Sequence, residues 1–235
     1  MRDEQLLARI RELREAGRSP KGIAKALGLR PAVVAPLVRQ VAAEQQVQHD
    51  PADRALLGCW VNRGWSVGLG LADVPEWAAL DTDTTDDGPE GLAQVLVARQ
   101  ERASRASVCG ILVDLYCLGV KNAIGPLPMG RDSIDRYRAT YFEVFDEPPL
   151  SIPVELAQHL VYGAVAYAGR LGFQPHPDFA AAADHLGPAP ATTPIGFGRD
   201  GRPFYVDGPN DNPHEVIRTL ESSVGPGNFD YVTHL

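Results

Sequence analysis

Apolar residues recur at helical spacing in three successive segments at the start of the chain. The first segment covers residues 3–16, and Gly17 follows it as a helix stop. The second opens on Ser19 and Pro20, a favourable N-cap followed by a proline suited to the first helical turn. The third begins at Pro31 and carries valine and leucine on one face. This pattern predicts three short helices around a small shared core.

From Leu56 onward the apolar pattern becomes that of strands. Residues 92–100 and 106–120 are apolar runs separated by a short polar turn, and they predict two strands of a sheet. Asp200-Gly201, between "PIGFGR" and "RPFYV", is typical of a type I′ turn and predicts a hairpin. Helical patterns and helix-start signals occupy residues 132–146, 152–171, 177–186 and 212–223.

These elements predict an α+β fold in two parts. Residues 1–48 form a three-helix module, and residues 55–235 form a larger α+β domain whose antiparallel-rich sheet is covered by helices. The polar stretch "HDPADR" between them is the expected linker. A chain of 235 residues is long enough for such a division.

The composition is that of an ordinary globular protein, with 44% hydrophobic and 22% charged residues. No apolar run reaches the roughly 18 residues that suggest a membrane span. The charged N-terminal segment also lacks the apolar core of a signal peptide. The three cysteines are odd in number and form no C-x-x-C pair, which favours buried thiols over disulfides or zinc. We therefore expect a cytoplasmic protein that makes no membrane contact.

Charge is divided unevenly along the chain. Residues 1–46 hold nine Lys or Arg and five Asp or Glu, a formal balance of +4. Because the whole chain carries −8, the remainder carries −12. A basic head on an acidic body predicts that only the head approaches a polyanion, unless the body has a local basic surface.

The stretch "SPKGIAKALGLRPAVVAPLV" resembles the helix-turn-helix superfamily over about residues 5–45. Ala24 stands where the second and third helices must approach closely, and Gly28 stands in the turn between them. The resemblance implies a DNA-binding module whose third helix is the recognition helix. The residues expected to contact nucleic acid are Arg18, Lys21, Lys25, Arg30, Arg39 and Gln40.

The third helix is poorly equipped to read bases. Its first turns are "PAVVAP", whereas direct readout uses arginine, lysine, asparagine, glutamine or hydroxyl side chains at those positions. We therefore expect contacts to phosphates, weak sequence preference and strong salt dependence. The alternative is a winged-helix-like, dimerising or protein-docking module that does not contact DNA.

Asp114 is the most unusual residue of the acidic body, because it interrupts the apolar run "CGILVDLYCLGV". A buried carboxylate needs partners, or its pKa must rise. Asp114 is therefore a candidate catalytic residue. Lys121 lies seven positions on, an odd separation that places the two on opposite faces of a flat strand. A bulge at Gly119 would bring them to one face.

A second group of candidates comes from the helix predicted over 152–171. Glu155 and His159 are four residues apart, so Glu155 is expected to orient the His159 imidazole for acid–base catalysis. With His176 and Asp178 from the next segment, His159 also makes a candidate metal site. The spacing matches no standard metal signature, and the alternative is one half-buried histidine beside surface residues.

The blocks "VDLYCLGVKN", "PHPDF" and "FGRDGRPFYV" are similar to a group of bacterial proteins, some with a helix-turn-helix in front. That resemblance spans most of residues 56–230 and implies no chemistry, since the group has no assigned activity. The chain has no G-x-S-x-G elbow, Walker loop or G-x-G-x-x-G fingerprint, so no particular cofactor is indicated.

Three functional hypotheses follow from these observations. The first is a cytoplasmic DNA-associated protein of regulatory or accessory kind, whose body dimerises, senses a ligand or binds a partner. The second is a metal-dependent hydrolase or nuclease centred on Asp114, His159 and His176. The third is a protein-docking module of a larger assembly.

Overall fold

The computed structural model describes residues 3–47, 51–81 and 91–233. The chain divides into two compact units, Met1–Asp50 and Pro51–Leu235. No helix in the described ranges has the length and apolar character needed to cross a bilayer.

The described residues of the N-terminal unit form three helices. They are α1 (Asp3–Glu15), α2 (Pro20–Leu27) and α3 (Pro31–Val47). Ser19 caps α2 through its Oγ, which accepts a hydrogen bond from Gly22 N at 3.2 Å. Gly28 ends α2 at φ 65°, a left-handed conformation that glycine adopts without steric cost. The buried core is formed by Ile10, Ile23, Ala24, Val34, Val38 and Val41.

The C-terminal unit is an α+β domain built on a five-stranded antiparallel sheet, which confirms the predicted class. Its strands are β1 (Leu56–Val61), β2 (Leu92–Arg102), β3 (Arg105–Asp114), β4 (Gly119–Gly130) and β5 (Leu150–Ser151), in the order β4-β3-β2-β1-β5. Two short strands, β6 (Phe204–Val206) and β7 (Asp230–Val232), pair in parallel separately. The helices are α4 (Pro75–Ala78), α5 (Ile134–Tyr141), α6 (Val154–Arg170), α7 (Phe179–Leu186) and α8 (Pro213–Ser223).

Both faces of the sheet are covered, but unequally. Helices α6 and α7 pack on one face over a large core that includes Val95, Ile111 and Leu160. The other face is covered mainly by α5, through Ile134 and neighbouring aromatic side chains. Because α5 is only eight residues long, grooves remain beside it near the turn between β3 and β4.

The sequence prediction was wrong in three places. The run 106–120 is two strands, because the chain turns between Asp114 and Gly119. The helix predicted over 132–146 is limited to Ile134–Tyr141. The turn predicted at Asp200-Gly201 does form: these residues have φ of 53° and 79°, as a type I′ turn requires, and Arg202 N donates to Arg199 O at 3.1 Å. The hairpin around it, however, is limited to a single bridge between Arg199 and Arg202, and β6 pairs with β7 instead.

The three cysteines are buried free thiols, as predicted. Burial raises the pKa of Cys59 and of Cys109 to about 12. These groups therefore remain protonated and unreactive at neutral pH.

Candidate functional site

The six residues expected to contact nucleic acid all have exposed side chains in the N-terminal unit. Within its described residues, Arg18, Lys21, Lys25 and Arg30 have no ion pair and no side-chain hydrogen bond. The fifth, Arg39, donates from Nε to Ala35 O at 3.4 Å. Gln40 is exposed on the same helix. The unit therefore displays a set of cations that its own fold does not use.

Helix α2 orders two of these cations. Lys21 and Lys25 are one turn apart on its exposed side, while Ile23 and Ala24 are buried against the other helices. Two other basic residues serve the fold itself: Arg14 Nη1 donates to Val38 O at 2.9 Å, and Arg9 pairs with Glu12. Arg9 and Arg14 thus form side-chain hydrogen bonds within the unit, whereas among its described residues Lys21 and Lys25 do not.

The start of α3 exposes apolar groups. Ala32, Val33 and Pro36 are exposed, and Val33 retains 51% of its accessible surface. None of these side chains donates a hydrogen bond to a base edge. The first turns of α3 can therefore offer a base only an apolar contact, such as one with a thymine methyl group.

In the C-terminal unit, backbone N–H groups donate hydrogen bonds to the carboxylate of Asp114. Its side chain is buried, and Oδ1 accepts hydrogen bonds from Tyr116 N and Cys117 N, each at 2.9 Å. Burial raises the pKa of Asp114, while these backbone hydrogen bonds oppose the rise. The carboxyl group therefore holds the turn from β3 to β4, a role that aspartate commonly has in turns.

Replacing Asp114 with alanine will destabilise the C-terminal unit by about 2–3 kcal/mol, because two buried N–H groups lose their acceptor. Asp114→Asn keeps an acceptor oxygen and will cost less than about 1 kcal/mol. Urea unfolding of both variants at pH 7 measures the difference. Equal losses would contradict the turn-holding role.

Lys121 shares a cavity with Asp114 because of a bulge. Strand pairing runs from Leu112–Asn122 to Val113–Val120, so Lys121 is the extra residue. The bulge therefore lies two residues beyond the predicted position, Gly119. Both Asp114 and Lys121 line a cavity of about 290 Å3.

The predicted pairing of Glu155 with His159 is not formed. Glu155 is exposed, whereas the His159 ring packs 5.0 Å from the ring of Trp77. His159 Nδ1 is buried and has no hydrogen-bond partner among the described residues. Burial lowers the pKa of His159. The imidazole thus packs against an aromatic ring, and within the described residues no carboxylate orients it.

The predicted metal ligands His159, His176 and Asp178 are not assembled into a site. His176 Nδ1 lies 3.8 Å from Asp178 Oδ2 and accepts a hydrogen bond from Asp178 N at 3.3 Å. No group of three or more His, Cys, Asp or Glu in the described ranges could hold a metal ion. The geometry consequently gives no support to a metal-dependent hydrolase or nuclease centred on Asp114, His159 and His176.

A cavity beside β4 contains a half-buried ion pair that the sequence analysis missed. Lys121 Nζ lies 2.7 Å from Asp211 Oδ2, and their side chains are only 18% and 13% exposed. The same Oδ2 accepts a hydrogen bond from Gly208 N at 2.9 Å. This cavity has a volume of about 660 Å3 and also includes His176 in its wall. The only sequence signal was the loop "DGPND" directly after β6.

This cavity shares lining residues with two smaller ones. A cavity of about 110 Å3 shares Leu112 and Asn122 with it, and the 290 Å3 cavity shares Lys121 and Gly208 with it. We call the three together the Lys121 groove. Its residues come from the β3–β4 edge of the sheet and from the segments beside that edge.

A buried polar cluster lies on the sheet face that α6 and α7 cover. Arg99 is 5% exposed and donates to the carbonyl groups of His185, Leu186, Ala52 and Arg54 at 2.7–3.1 Å. His185 is fully buried. Burial, aided by the charge of Arg99, lowers the pKa of His185 to about 4.

His185 makes the stability of the C-terminal unit depend on pH. Below its ordinary pKa of 6.5 the unfolded chain binds a proton that the folded chain does not accept until about pH 4. Above pH 6.5 this difference has no effect on the free energy of unfolding. As the pH drops from 6.5 to 4, it lowers the free energy of unfolding by roughly 3 kcal/mol. Urea unfolding from pH 7.5 to 4.5 will show that His185→Leu loses less stability than the unsubstituted protein. If the free energy of unfolding fell equally with pH in both proteins, His185 would not be the source of the pH dependence.

Comparisons of the chain with protein-family models, with curated proteins and with solved structures find no match. The assignment of function therefore depends on the charges, cavities and hydrogen bonds of this chain.

Proposed function

We propose that this is a DNA-associated protein of regulatory or accessory kind that acts in the bacterial cytoplasm. Helices α2 and α3 act as a helix-turn-helix that holds duplex DNA through its phosphates. The C-terminal unit then supplies dimerisation, ligand sensing or partner binding.

One observation carries the proposal. Arg18, Lys21, Lys25 and Arg30 are exposed and, within the described part of the N-terminal unit, have no acidic partner. Keeping like charges on one small unit is unfavourable unless an anion neutralises them. A nucleic-acid backbone is such an anion, and its affinity for lysine and arginine grows with the number of contacts.

The same surface supports weak selectivity. Phosphate contacts fix the position of a protein on DNA but do not report sequence. Since Ala32, Val33 and Pro36 offer no donors, base reading contributes little. Dimerisation through the C-terminal unit would raise affinity by joining two weak contacts.

Competition between duplexes tests this proposal. A fluorescent random-sequence duplex of about two helical turns will bind at low salt, and unrelated unlabelled duplexes will compete with affinities within about tenfold of one another. Absence of binding at low salt would reject the proposal. One duplex preferred by about a thousandfold or more would reject its weak selectivity.

A second candidate, the protein-docking module, is favoured by the exposure of Val33. Val33→Lys separates the two possibilities. If α3 lies against DNA, the new cation will strengthen duplex binding severalfold. If this face instead docks on a protein, duplex binding will be unchanged.

A further inference from the structure

The Lys121 groove has the dimensions of a small-molecule site. Its largest cavity, about 660 Å3, falls within the range of roughly 300–1,000 Å3 typical of ligand pockets. The two smaller cavities share lining residues with it. Its walls come from β3, β4, the segment after α6 and the loop after β6, so segments distant in sequence converge on it.

The three sequence blocks that carry the bacterial resemblance all contribute to this groove. "VDLYCLGVKN" supplies Lys121 and Asn122, "PHPDF" supplies His176, and "FGRDGRPFYV" supplies Phe204 and Val206. Residues from three separate parts of the sequence therefore line one concave surface.

Charge in the largest cavity is already balanced. Lys121 and Asp211 neutralise each other at 2.7 Å, and Asp211 is held further by Gly208 N. An anionic ligand would have to displace Asp211 from Lys121 while facing the nearby Asp207. A cationic ligand would have to displace Lys121 from Asp211. Because either ion would have to break a half-buried pair that is held at 2.7 Å, both kinds of ion are disfavoured.

Three amide side chains in the cavity are available to form hydrogen bonds with a ligand. The amides of Asn122, Gln174 and Asn210 line it with exposed side chains. Within the described ranges, none of them makes a side-chain hydrogen bond. Each amide offers both donors and acceptors, which matches a hydroxyl group, itself both donor and acceptor.

Apart from His176, much of the remaining wall is apolar. Leu112, Leu118, Val120 and Phe173 offer a hydrophobic surface beside the amides. A molecule with a C–H face and several hydroxyl groups fits both kinds of wall. We propose that the Lys121 groove binds an uncharged polyhydroxylated small molecule of the sugar class. This proposal does not depend on DNA binding, so either one can fail without the other.

Matched sugars test the proposal on the full-length protein. Isothermal titration calorimetry would compare glucose, galactose and mannose with the uronic acid and the amino sugar of each. We expect at least one neutral hexose to bind and both of its charged counterparts to bind at least about tenfold more weakly, because their charges would meet a closed ion pair. No binding by any neutral hexose up to high millimolar concentration would overturn the proposal, as would equal or tighter binding of the charged forms.

Variants locate the binding. Asn122→Ala combined with Asn210→Ala removes two exposed amides and will weaken the hexose about tenfold or more. Gln5→Ala, an exposed amide of the N-terminal unit, is the matched control and will leave the affinity unchanged. Thermal unfolding checks that the variants fold. Unchanged binding by the folded double variant would place the sugar elsewhere and overturn the assignment of this groove.

Discussion

Replacing Arg99 with methionine will lower the free energy of unfolding of the C-terminal unit by about 3–5 kcal/mol. The guanidinium group satisfies four carbonyl groups at 2.7–3.1 Å, two at the C-terminal end of α7 and two in the segment before β1. Methionine fills similar space but donates nothing, so buried carbonyls lose their partner. Urea unfolding followed by circular dichroism measures the loss.

Arg99→Lys is the matched control. It keeps the positive charge but cannot donate in several directions from one planar group. We therefore expect it to unfold between the methionine variant and the unsubstituted protein. If Arg99→Met were as stable as the original, the buried charge would cost as much as its hydrogen bonds contribute.

Changing Arg18, Lys21, Lys25 and Arg30 together to glutamine will weaken binding of random duplex by at least about a hundredfold at low salt. Each cation that contacts a phosphate releases a condensed counterion, and the variant loses four such contacts. All four side chains are exposed, so the three-helix core will remain intact. Fluorescence anisotropy measures the affinity, and circular dichroism confirms the helices.

A charge-matched control distinguishes local contact from net charge. Arg102, Arg105, Arg131 and Arg136 are exposed arginines of the C-terminal unit, and within its described residues none forms an ion pair. Changing these four to glutamine alters the net charge equally. We expect less than about a threefold loss, because long-range effects are largely screened. Equal losses in the two variants would contradict the assignment of the binding face.

Local signals in the sequence predicted local structure. Ser19 and Asn212 start helices because each side chain caps nearby N–H groups. Strand β4 was missed because it contains Pro126 and Pro128, which indicate a break. Those prolines are tolerated because β4 is an edge strand that pairs only with β3.

The candidate sites depend on contacts that no spacing rule predicts. Lys121 and Asp211 are ninety positions apart, and only the β4 bulge and the loop after β6 bring them together. Glu155 and His159 had suitable helical spacing, yet His159 packs on Trp77 instead. Helical spacing therefore predicted that Glu155 and His159 lie close together, but it could not predict that the imidazole packs against Trp77.

The salt dependence of duplex binding tests the central claim most directly. If four cations of the N-terminal unit each contact a phosphate, a plot of log affinity against log salt will have a slope near −3.6. Affinity will then fall roughly a hundredfold between 50 and 200 mM salt. The four-glutamine variant will give a much shallower slope. A slope near zero for the unsubstituted protein, or the same slope for both proteins, would contradict phosphate binding by this surface.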